Sequence, residues 1–96
     1  MLNLIKEQAA DQIFGRMQWW AANEATFLVR FSPDESRCGI YISSKDKGIT
    51  AEYLYAQLSL GDLDGVGLNP GIDCYAIDCK PADAQGLLSR LASAIA

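Results

Sequence analysis

The side chains that could carry chemistry in this chain are three cysteines, a scatter of carboxylates and one strand arginine; histidine is absent. Without histidine the usual nucleophile-and-base arrangements lose their commonest member, and no serine or cysteine sits in a nucleophile-elbow context. The acidic pairs Asp62/Asp64 and Asp34/Glu35 fall in turn-forming stretches, where solvated carboxylates are the ordinary state. The expectation is therefore no enzyme, with a small uncharacterised catalyst as a secondary alternative. Cys38, Cys74 and Cys79 are odd in number, and the last two, on one short strand, would stand roughly 16 Å apart, too far for a disulfide. No Cys-x-x-Cys spacing is present, so a zinc site lacks ligands and free buried thiols are expected. Asp62 to Asp73 puts acids at the first, third and twelfth places of a calcium loop and glycine at the sixth. Val66 at the fifth place and a strand where a helix should follow break that match. No metal or other cofactor is expected.

The arginine lies in Phe27-Leu28-Val29-Arg30-Phe31-Ser32, where apolar Phe27, Val29 and Phe31 alternate onto one face and Arg30 shares the other with Leu28 and Ser32. Together with a preceding helix, the Ser32-Pro33-Asp34-Glu35-Ser36 loop, the Gly39-Ile40-Tyr41-Ile42-Ser43 strand and a closing helix, this segment resembles the Src homology type-two domain, a phosphotyrosine-peptide binder. The resemblance covers residues 5 to 95 in order of elements and six residues in motif. It implies that Arg30 forks onto a phosphate, with donors from Ser32 to Ser36 completing the cradle. A planar guanidinium suits that task because it holds two phosphate oxygens at once. The family's opening tryptophan, first-helix arginine and central-strand histidine have no counterpart in this chain. The alternative for Arg30 is an ion pair with a neighbouring acid.

The elements that would position these residues read as follows. Residues 3 to 22 lack proline and place Leu2, Ile5, Ala9, Ala10, Ile13, Phe14, Met17, Trp20 and Ala21 within half a helical circumference, which predicts an N-terminal helix. Trp19 falls opposite that face, either tucked under the following loop or offered outward as a contact. The Phe27 strand and a strand over Cys38 to Ser44 predict an antiparallel hairpin. Ile49 to Leu60 is ambiguous; a helix with Thr50 as cap and Gly61 as stop is favoured over a strand, because Ala51, Leu54, Tyr55 and Leu58 form a helical stripe. Gly61 to Gly71 reads as a loop and residues 72 to 78 as a third strand. Pro81 opens a closing helix with Ala84, Leu87, Leu88, Leu91 and Ile95 on one face. The fold class expected is α+β: one domain over residues 1 to 96, with a small antiparallel or mixed sheet of three to four strands. An N-terminal and a C-terminal helix pack on it, with a third short helix at 50 to 60.

Whole-chain composition narrows the partners. A net charge of -4 and a pI near 4.5 argue against nucleic acid, whose binding draws on clustered Lys and Arg. No window approaches 18 unbroken apolar residues, and the first eight residues lack a basic region followed by an apolar core, so no membrane association and a cytoplasmic location are expected. Half the residues are hydrophobic and nine are aromatic, a generous inventory for one small core. The leading expectation is a non-enzymatic interaction protein that binds a protein partner or itself as a homodimer or other homo-oligomer. Its contact surface is expected at a sheet edge, at Trp19, or at Tyr53 and Tyr55. The alternative is a phosphotyrosine-peptide module using Arg30, Ser32 and Ser36.

Overall fold

In the computed structural model, which describes residues 1 to 71 and 73 to 95, the first 22 residues form a β-hairpin. Strand β1 covers Leu2–Gln8 and β2 covers Met17–Ala22, in place of the helix expected over 3 to 22. The helical spacing of apolar residues there is coincidental: β2 alternates its side chains between the two sheet faces. Trp20 packs against the core while Trp19 does not. Two local features favour strands. Asn23-Glu24 then closes a two-residue turn between Ala22 and Ala25, with Asn23 in the left-handed region at φ 51° that asparagine tolerates. Finally, Gly15 crosses directly over Phe31, where a Cβ would lie 2.0 Å from the Phe31 carbonyl oxygen. Only glycine fits that crossing.

Strands β3 (Ala25–Phe31) and β4 (Cys38–Ser44) form the hairpin that alternation predicts, paired from Ala25↔Ser44 to Phe31↔Cys38. Helix α1 (Ala51–Gln57) confirms the helical reading of the ambiguous stretch, and the Thr50 hydroxyl caps it by accepting from the Tyr53 N–H at 3.2 Å. Gly61 is not its stop. The helix ends at Leu58, the chain turns through Ser59 at φ 53°, and Gly61 lies inside a 3-10 turn over Leu60–Asp62. The expected loop from 61 to 71 holds strand β5 (Gly67–Pro70), and the third predicted strand begins later, as β6 (Tyr75–Cys79). Ile72, at the start of that predicted strand, lies outside the described residues. Helix α2 (Pro81–Ile95) matches the expectation, with Ala84, Leu87, Leu88 and Leu91 buried.

The fold is thus α+β with a six-stranded antiparallel sheet in the order β1-β2-β3-β4-β6-β5, rather than three to four strands. Short β5, with its proline, was hidden among glycines, and β1 and β2 inside the supposed helix. Both helices cover the same face. Phe27, Val29, Ile40 and Ile77 on alternate strand positions join Leu54, Leu87, Leu88 and Leu91 in one buried cluster. Burying side chains of this kind contributes about 1.5–3 kcal/mol each. Among the described residues the opposite face carries no helix.

Candidate functional site

Alternation assigns the helix-free face to Met17, Trp19 and Ala21 of β2, Thr26, Leu28 and Arg30 of β3, Gly39 and Tyr41 of β4, and Ala76 and Asp78 of β6. Trp19, Leu28 and Tyr41 stand side by side in one cross-strand row. The Lys6 ammonium lies 4.6 Å over the Trp19 ring, extending that row to β1. The next row runs Met17, Arg30, Gly39 and Asp78. Because Gly39 has no side chain, the sheet surface dips there. Tyr41, Arg30 and Asp78 surround the dip, and Ile13 and Phe14 overhang it from the β1–β2 connection. The concavity holds about 410 Å³.

Charge in this concavity is arranged around two arginines with different roles. Arg37 donates through Nε (3.1 Å) and Nη2 to Asp78 Oδ2, and through Nη2 to the Gly65 carbonyl at 2.7 Å. The hydrogen bond to Asp78 first, and then the attraction of its charge, raises the already high pKa of Arg37. Arg30 makes no ion pair or side-chain hydrogen bond among the described residues, and it borders the concavity as an exposed cation. The ion pair that the sequence allowed for Arg30 is therefore carried by Arg37.

Ser32 and Ser36 turn toward a different partner. Both hydroxyls donate to Asp34 Oδ1 at 2.8 Å, and the Ser36 N–H donates to the same oxygen at 3.0 Å. These bonds, that of the Ser36 N–H first, hold the Asp34 carboxyl below its ordinary range. The donors that the family resemblance offers to a phosphate are thus engaged by the chain's own acid. Sequence alone hides this, because Asp34 is one of several turn acids and only the fold shows which way it points.

Arg16, which spacing did not single out, is the charged centre of the β1–β2 connection, residues 9 to 16, which forms an arm. Its guanidinium makes a two-point contact with Glu35 at 3.0 Å, reaches Glu7 Oε2 at 3.1 Å and stacks 4.0 Å above Phe31. At the arm's tip Asp11 Oδ1 accepts from the Ile13 and Phe14 N–H groups, each at 2.7 Å, closing a turn that leaves both side chains exposed.

The three aromatic residues picked from the sequence do not form one surface. Trp19 is half-buried on the open sheet face, whereas Tyr53 is exposed on α1 and Tyr55 packs against the core on the helical side. The exposed apolar side chains concentrate instead in β1 and the β1–β2 connection. Of the eight exposed large apolar side chains among the described residues, five lie in the first 14 positions: Met1, Leu4, Ile5, Ile13 and Phe14. No family model, curated protein or solved structure matches this chain. Its function must therefore be read from this geometry: an apolar edge and arm beside a concavity with one exposed cation. Among the described residues no three His, Cys, Asp or Glu side chains converge as a metal site would require, and no helix is long and apolar enough to cross a membrane.

Proposed function

We propose that the chain is a non-enzymatic interaction module that self-associates through the β1 edge and the β1–β2 arm. The observation that carries this reading is the concentration of exposed apolar side chains on β1 and its connection, beside an unpaired strand edge. Edge strands present a row of free N–H and C=O groups, and a strand paired with its own copy about a two-fold axis is self-complementary. The two edges of this sheet are unequal. β5 has four residues and ends in Pro70, both features that discourage pairing, while β1 has seven residues. Of the two charges that could guard the β1 edge, Lys6 lies over Trp19 and Glu7 is held by Arg16 and Gln18. The register shift between Leu4 and Lys6 shortens any new ladder, so Leu4, Ile5 and Phe14 supply most of the contact. The carboxyls with shifted pKa, Glu7, Asp11, Asp34 and Glu35, are all lowered, the opposite of a general acid poised near neutrality, which supports a non-enzymatic reading.

Light scattering after size exclusion tests this. The wild type is expected at twice its 10.4 kDa chain mass and an Ile5→Glu/Phe14→Glu variant at the chain mass with unchanged circular dichroism. A wild type that stays monomeric over a wide concentration range overturns the proposal.

The exposed Arg30 favours a second reading, a site for phosphotyrosine peptides in the concavity beside Tyr41. Titration with such a peptide should then saturate with wild type, and Arg30→Ala should weaken it at least about tenfold, as loss of a charge-assisted pair would. Equal binding of the unphosphorylated peptide rules it out.

A further inference from the structure

The ladder between β4 and β6 spans three residue pairs, and it is the one strand pairing that joins the β1–β4 meander to the C-terminal half. Its first pair is Cys38↔Cys79. Both side chains lie on the helix-covered face, 2% and 0% exposed, and their Sγ atoms are 3.5 Å apart. Directly opposed residues of an antiparallel pair have Cα atoms about 4.5–5.5 Å apart, inside the range that disulfides span. Forming the bond needs only about 1.5 Å of approach between the sulfurs. Cys74, the third cysteine, is exposed and stands outside β6.

We propose that Cys38 and Cys79 are a redox-responsive pair that closes to a cross-strand disulfide when the oxidant is a peroxide, stapling the two halves of the sheet. Cys38 is the attacking thiol. The hydrogen bond from Cys79 lowers its pKa, and the Arg37 guanidinium acts in the same direction, whereas Cys79 is pushed up by the same contact and by burial. With both thiols on the helix-covered face, the oxidant reaches Cys38 when the three-pair β4–β6 junction opens locally. The Cys38 thiolate attacks one peroxide oxygen, the O–O bond breaks, and the departing hydroxide takes a proton to become water. Cys38 is then a sulfenic acid. The Cys79 sulfur attacks the Cys38 sulfur, the S–O bond breaks, and the leaving hydroxide takes the Cys79 proton as a second water. Two thiols are oxidised by two electrons and one peroxide is reduced to two waters. A dithiol reductant reverses the bond by exchange.

The test is to expose the folded protein to hydrogen peroxide, quench it, unfold it in an alkylating agent, and read the mass and the peptide map. Alkylatable thiols are expected to fall from three to one, with Cys74 the one labelled and Cys38 linked to Cys79. The intact mass before alkylation should drop by about 2 Da, the two hydrogens lost on bond formation. The oxidised protein should also melt higher than the reduced one, because a cross-link restricts the unfolded chain. Cys74→Ser should behave as wild type, which keeps the test independent of how variants in the pair fold. Oxidation confined to Cys74, or a stable sulfinic acid at Cys38 with Cys79 still alkylatable, overturns the proposal.

Discussion

Arg16 connects three segments that are distant in sequence: Glu7 on β1, Glu35 in the β3–β4 loop, and the Phe31 ring at the end of β3. Its carboxylate partners respond to acid in a definite direction. Glu7 is held below its ordinary pKa by Gln18 first and Arg16 next, and Glu35 by Arg16. A group whose folded pKa is depressed adds stability above its unfolded value, near 4, and loses it as pH falls through the folded value. The melting midpoint should therefore stay level down to about pH 5 and fall below about pH 4. Asp11, lowered by the Phe14 and Ile13 N–H groups, titrates in the same window, so the arm's tip should loosen with it. Comparing wild type with Arg16→Gln by thermal melting at each pH isolates the Arg16 share. The variant should show the shallower acid limb, and an equally steep one would remove Arg16 from the account.

At the scale of elements, α1 depends on its first turn. It has seven residues, too few for a helix to persist on propensity, and the Thr50 cap supplies one of the few bonds to its free N–H groups. Thr50→Ala should cost about 1 kcal/mol in chemical unfolding. That cap was legible in the sequence, as were the β3–β4 hairpin and the α2 stripe, because each is signalled by residues within one element. The first 22 residues were not legible as strands. Apolar residues recur there at intervals that a helix and a bulged hairpin both satisfy, and the choice is made by pairing with β3. The turn at Asn23-Glu24 was the available signal. Strand β5 was obscured for a related reason, since glycine and proline mark loops except where an edge strand tolerates them. For the site, the sequence placed Arg30 on the face opposite the core. It could not show that Asp34 takes up Ser32 and Ser36, or that Cys38 meets Cys79 across 41 residues.

For the molecule as a whole, the sheet has a helix-covered face that forms the core and an open face whose Trp19, Leu28 and Tyr41 row is only half-buried. The order of strands divides the chain unevenly. β1 to β4 pair each with its sequence neighbour, whereas β4 meets β6 only after α1 and β5 have intervened. Contacts between near neighbours form at small loop-closure cost, and the distant ones wait until that cost has been met. The meander should accordingly be structured in the folding transition state and the β4–β6 junction should form after it. Conservative truncations at Val29 and at Ile77, both fully buried, measure this by their separate effects on folding and unfolding rates. The Val29 change should slow folding and the Ile77 change should mainly speed unfolding. Three residue pairs between β4 and β6 thus place the rate of chain opening, more than the rate of chain collapse, under the control of one narrow junction.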